Sequence, residues 1–117
     1  FLFIISIVVF LFGGVILMSV VGKPKPGQYD DFAKCIAEKK LTMYGAYWCS
    51  HCKAEKARFG DSFQYVPYVE CTIETKTCLD KGVNSYPTWI AADGAKYEGE
   101  QGLEKLAQIS SCSLPSK

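Results

Sequence analysis

Cys49-Ser50-His51-Cys52 sets two thiols two residues apart, behind Trp48 and an apolar run from Leu41 to Ala46. At a strand-to-helix junction such a pair forms a strained, easily exchanged disulfide, and the helix N-terminus favours negative charge on the first sulfur. The chemistry this arrangement suits is dithiol–disulfide exchange. Cys49 is the expected attacking thiol, because unsatisfied N–H groups of the first helical turn face it. Cys52, one turn inward, is the expected resolving thiol. His51, the sole histidine, lies between them and can stabilise a thiolate as a cation or hydrogen-bond donor. Stabilising the thiolate by about 1.4 kcal/mol makes the oxidised pair a stronger oxidant by roughly 30 mV.

Other chemistries use the same residue types. Tetrahedral zinc needs four ligands, so the Cys-Ser-His-Cys stretch would need a second pair, which Cys71 and Cys78 could supply only if the fold brought them close. No metal is expected. A purely structural Cys49–Cys52 bond is disfavoured by the tightness of its loop. Trp48 is expected to lie beside the pair and shield it, its plain alternative being an ordinary core aromatic.

The surrounding pattern supplies the elements that must position the pair. Asp30 or Asp31 can cap a helix running to about Lys40, with Phe32, Ile36 and Cys35 toward one face. Leu41–Ala46 reads as a central strand. The helix after Cys49 should run to Phe59 and stop at Gly60. Tyr65–Cys71 reads as a second strand, weakened at its start by Pro67. Thr77–Lys81 is a helical turn ended by Gly82. Thr88–Ala92 and Lys96–Glu100 form a hairpin around Asp93-Gly94. Leu103, Leu106, Ala107 and Ser110 mark a last helix lying on the sheet.

Composition bounds the class. Phe1–Gly22 carries no charge and would span roughly 33 Å as a helix, enough to cross a bilayer core. A secretory signal has a shorter apolar region, about 7–15 residues, and a better cleavage site than Ser19-Val20-Val21-Gly22. The expected organisation is a transmembrane helix over residues 1–22, a stiff Lys-Pro linker over 23–29 and one domain over 30–117. The net charge of +1 and the lack of a basic–aromatic stripe give no reason to expect nucleic acid. Six cysteines in 117 residues indicate an oxidising compartment. Lys23 and Lys25 favour a cytoplasmic flank, but the cysteines weigh more, so the domain is expected on the extracytoplasmic side of the cytoplasmic membrane.

The element order resembles the thioredoxin fold over about residues 28–112. It implies a three-layer α/β/α domain with a central mixed sheet and the first strand of the full fold missing. More narrowly, Tyr44-Gly45-Ala46-Tyr47-Trp48-Cys49-Ser50-His51-Cys52, Tyr65-Val66-Pro67-Tyr68-Val69-Glu70-Cys71 and Ser85-Tyr86-Pro87-Thr88-Trp89 resemble the thioredoxin-like domain of bacterial vitamin K epoxide reductase homologues. In those fusions a membrane-embedded quinone reductase passes oxidising equivalents to the tethered domain. The chain looks like a membrane-anchored stand-alone relative or the tail of such a fusion. The resemblance implies a cis Pro87 opposite the cysteines, with the backbone of Tyr86 pairing with an extended substrate. Together with Trp48 these are the expected substrate-binding residues. Met43 stands where many thioredoxins carry a buried carboxylate, and Ser50 where proline is common.

Four cysteines remain. Cys71 and Cys78 enclose a short loop, and the fused relatives carry a similar pair there. Cys35 and Cys112 would then join the two ends of the domain, although the sequence alone permits other pairings. A relay from Cys71–Cys78 to the active pair ranks below a structural staple. The implied function is a membrane-anchored thiol–disulfide oxidoreductase acting on extracytoplasmic protein thiols and disulfides. It needs no cofactor and is re-oxidised by a membrane quinone reductase. The alternatives are a reductase or isomerase driven by a membrane electron donor, and a non-catalytic, disulfide-stapled binding module.

Overall fold

The computed structural model describes residues 26–116. The span expected over Phe1–Gly22 and the start of the linker lie outside those residues. Among the described residues no helix is long and apolar enough to cross a membrane.

In chain order the elements are α1 (Asp30–Glu38), β1 (Thr42–Gly45), α2 (Ser50–Phe59), a 3-10 turn (Gly60–Tyr65), β2 (Tyr68–Glu70), α3 (Thr75–Asp80), β3 (Thr88–Ile90), β4 (Lys96–Glu98) and α4 (Gly102–Ser110). The strands form one sheet in the order β2-β1-β3-β4. β1 is parallel to β2 and antiparallel to β3, which is antiparallel to β4. This mixed sheet with helices is consistent with a thioredoxin-like α/β fold.

Strand alternation divides the core. Met43 sits opposite Trp89, and both belong to a cluster with Phe32 and Ile36 of α1, Phe59 of α2 and Leu106 of α4. Tyr44 and Ile90 fall in a second cluster with Cys71, Cys78 and Val83. Helices α1, α2 and α4 therefore supply one face of β1 and β3, and the α3 region supplies the other. Each of the large aromatics on the first side contributes about 1.5–3 kcal/mol by leaving water.

Several boundaries differ from the sequence reading. The N-cap of α1 is Tyr29, without a side-chain cap, and its N–H donates to Ser62 Oγ at 2.7 Å. Asp30 instead turns back to accept the Gly27 N–H at 3.1 Å. Gly27 is needed at this crossing, since a Cβ there would lie 2.4 Å from Ser62 Oγ. α1 ends at Glu38 rather than about Lys40. Leu41 N–H closes on Ile36 O and Lys40 N–H on Ala37 O, with Lys40 at φ 58°. That closure is a Schellman motif formed without glycine, which is why no stop signal was visible.

β2 is shorter than Tyr65–Cys71. Tyr65 closes the 3-10 turn, and Pro67 has no N–H to give a ladder, although its carbonyl accepts from Met43 N at 3.0 Å. α3 begins at Thr75, two residues before the expected turn. α2 ends at Phe59 with Gly60 at φ 58°. Gly94 at φ 89° turns the β3–β4 hairpin, and Asp93 Oδ1 accepts the Ala95 N–H at 3.0 Å.

Candidate active site

Cys49 leaves β1 through Tyr47 and Trp48 and becomes the N-cap of α2. Its extended backbone (φ −74°, ψ 121°) brings Sγ to accept the Cys52 N–H at 3.2 Å. The first sulfur thus occupies the place that a serine or aspartate oxygen takes in an ordinary N-cap. Opposite it, Tyr86 O lies 3.6 Å from the same Sγ, and the Tyr86–Pro87 peptide is cis. Pro87 O in turn accepts the Gly99 N–H at 2.7 Å.

Cys49 is 7% exposed and Cys52 is 0% exposed. Neither is bonded to another sulfur. Burial pushes the Cys52 thiol up to about 12, with the Cys49 thiol as a smaller contributor. Gly45 is essential to this packing, because a Cβ there would come within 2.8 Å of Cys52 Sγ. The Tyr68 ring closes the same space. Burial first, then its hydrogen bond to Glu70, raises the Tyr68 hydroxyl above its ordinary value. For Glu70 itself burial acts upward, but hydrogen bonds from Thr72 and Tyr68 outweigh it and hold the carboxyl below the usual carboxylate range. Lys56 caps the Tyr68 ring at 3.9 Å.

The surface around the pair is aromatic. Trp48 is 57% exposed and meets the Tyr86 ring edge-on at 5.9 Å. It lies beside the site and is no core residue. Tyr47 is also exposed. His51 is exposed too, and its Nδ1 stands 2.6 Å from Glu100 Oε2. Arg58 reaches the other oxygen of Glu100 at 2.8 Å. The hydrogen bond from His51, with help from Arg58, holds the Glu100 carboxyl below the usual carboxylate range.

Glu55 is the residue that the sequence reading passed over. It lies in Lys53-Ala54-Glu55-Lys56, which reads as a solvated face, yet it is fully buried. Oε2 accepts Trp89 Nε1 at 3.1 Å and Gln101 N at 2.7 Å. Oε1 accepts Gly102 N at 2.9 Å and Arg58 Nη1 at 3.0 Å. Every acceptor direction has a donor, which is what makes a buried carboxylate tolerable. The available signal was spacing: Cys52, Glu55 and Phe59 fall on one helical stripe. Met43 is buried in the apolar cluster, and the fully buried carboxylate among the described residues is Glu55 of α2.

The other four cysteines are joined as Cys35–Cys112 and Cys71–Cys78. Cys71 and Cys78 therefore have no thiolate to offer a metal at the Cys49–Cys52 loop.

No family model matches the chain. It is 40% identical over 81 residues to the thiol-disulfide oxidoreductase LTO1 of Arabidopsis thaliana, covering 62% of this chain and 21% of that protein. It is 32% identical over 104 residues to a protein disulfide-isomerase of Humicola insolens, covering 80% of this chain and 20% of that protein. A protein disulfide-isomerase of Aspergillus oryzae is 33% identical over 90 residues, covering 66% of this chain and 18% of that protein. The chain thus spans about a fifth of the length of the curated relatives it matches. These relatives support a thioredoxin-like family and a thiol–disulfide oxidoreductase enzyme.

Proposed function

We propose that this chain is a membrane-anchored thiol–disulfide oxidoreductase that donates its Cys49–Cys52 disulfide to extracytoplasmic proteins and is re-oxidised by a membrane quinone reductase of the vitamin K epoxide reductase type. The observation that carries the exchange chemistry is Cys49 Sγ at the N-cap of α2, accepting the Cys52 N–H and facing Tyr86 O across the cis Pro87. Anchoring is supported by the uncharged Phe1–Gly22, and the oxidising compartment by the six cysteines. A tether near the oxidant raises its effective concentration without new contacts.

In the donor direction, a substrate thiolate attacks Cys49 in the Cys49–Cys52 disulfide. The new bond joins substrate sulfur to Cys49, and Cys52 leaves with the electron pair and takes a proton. A second substrate thiolate attacks the first substrate sulfur, the substrate disulfide forms, and Cys49 leaves as thiolate. The dithiol then passes two electrons to its oxidant. Tyr86 and Trp48 would hold the extended substrate segment, and His51 would act on the charge at Cys49.

A second reading, an isomerase or reductase run by a membrane electron donor, is favoured by the names of the protein disulfide-isomerase relatives. Equilibration with glutathione separates the two. A potential near −120 mV, on the order of the strong bacterial oxidant's, favours donation, and one near about −270 mV favours reduction.

The direct test is covalent. Cys52→Ala should accumulate mixed disulfides through Cys49, to be identified by mass spectrometry. Cys49→Ala should trap none and lose insulin reduction and scrambled-ribonuclease refolding. Unchanged activity in Cys49→Ala would replace this reading with that of a stapled, non-catalytic binding module.

A further inference from the structure

His51 is the only histidine of the chain and sits between the two thiols. Its Nδ1 nevertheless bonds a residue 49 positions away, Glu100 Oε2, at 2.6 Å. Glu100 is no free surface carboxylate. Its second oxygen meets Arg58 at 2.8 Å. The backbone on either side is tied down: Gly99 N–H to Pro87 O at 2.7 Å, Gln101 N–H to Glu55 at 2.7 Å, and Gly102 N–H to Glu55 at 2.9 Å. Gly99 at φ 84° and Gly102 at φ 77° form the bends that only glycine adopts readily. The Gly99–Gly102 strap thereby joins the cis-proline loop to α2 and aims one carboxylate at the imidazole.

We propose that Glu100 is a positioning residue that sets the redox poise of the Cys49–Cys52 pair by holding His51 through Nδ1. The inference rests on the exchange reading above. A carboxylate accepts only, so the bonded Nδ1 must carry a hydrogen, which fixes the ring's tautomer and orientation. Held this way, the ring gives its Nδ1 hydrogen to Glu100 and not to a sulfur, so the pairing withdraws a donor from Cys49. Replacing the carboxylate by an amide weakens that hold and frees the ring's hydrogen for a thiolate at Cys49, which favours the reduced form. The groups facing Glu100 are His51 and Arg58 of α2, with Glu55 on the other side of Arg58.

The test is the equilibrium of the full chain, held in detergent, with glutathione at pH 7. Glu100→Gln should shift that equilibrium toward the dithiol about three- to tenfold, roughly 15–30 mV. Glu100→Asp should fall between Glu100→Gln and the parent. The shift should vanish when His51→Ala is present in both proteins compared. No shift, or an equal shift in the His51→Ala background, overturns the proposal. Should Glu100→Gln fold poorly, ¹⁵N NMR of the parent's imidazole decides: a protonated Nδ1 in both redox states supports the pairing, and a freely exchanging tautomer overturns it. Failure of the exchange reading is separately visible, because the parent would then not equilibrate with glutathione.

Discussion

Two short-range cysteine pairs in this molecule share nearly the same burial and differ in everything around them. Cys49 and Cys52 are 7% and 0% exposed, and Cys71 and Cys78 are both 3% exposed. Cys71 and Cys78 are joined, with Cys78 inside the six-residue α3. Cys49 caps the ten-residue α2, with a backbone N–H aimed at its sulfur and the exposed rings of Tyr47 and Trp48 next to it. Burial therefore does not separate an exchangeable pair from a staple. The difference lies in the helix end: a cap position supplies donors for an anion, and the middle of a short helix does not.

That contrast can be broken by removing the staples. Replacing Cys35 and Cys112 by Ala deletes a closure across a sequence separation of 77 residues and should cost about 4–5 kcal/mol in urea denaturation under the chain-entropy model. Replacing Cys71 and Cys78, with a separation of 7, should cost about 2–3 kcal/mol. Glutathione equilibration by the surviving Cys49–Cys52 pair should be unchanged in whatever fraction stays folded. A potential that moves with Cys71–Cys78 would revive the relay reading and erase the distinction between the two pairs.

The Glu55→Ala change should cost at least about 2 kcal/mol, because Trp89 Nε1 and the Gln101 and Gly102 amides lose their acceptor. Thermal denaturation reads this directly. A loss confined to redox potential, with stability intact, would mean that the strap is held by other contacts.

The smallest expected effect sharpens the contrast inside the active pair. With the Cys52 thiol pushed up to about 12, the folded dithiol holds its proton more tightly than the unfolded chain. This contribution to stability is whole below the ordinary thiol range and is lost as pH rises from there toward 12. Iodoacetamide at pH 7 should accordingly label Cys49 and leave Cys52 unmodified until the protein unfolds. Equal labelling of both in the folded state would remove the division of roles between attacking and resolving thiols.

Much of the scaffold was legible along the chain. The span of α2 followed from Gly60, the hairpin from Asp93-Gly94, and the strand leading into the cysteines from the run Leu41–Ala46. Local rules sufficed there because a glycine or a turn carries its conformation wherever it stands. One misplaced boundary was set by a distant partner, and others by local turns that carry no glycine or other stop signal. Ser62 draws Tyr29 into the cap of α1, and the 3-10 turn consumes the start of the expected second strand.

The order of residues alone determined that two thiols stand two apart where a strand gives way to a helix, because spacing and periodicity are properties of the chain itself. Only the tertiary structure decided how the charged residues of the helix that follows them are partnered. Glu55 looked solvated until α4 and Trp89 closed over it, and Glu100 met His51 only once the Gly99–Gly102 strap was tied to both Pro87 and α2. Electrostatic partners are chosen by distance in space, and no local pattern encodes a distance across 49 positions.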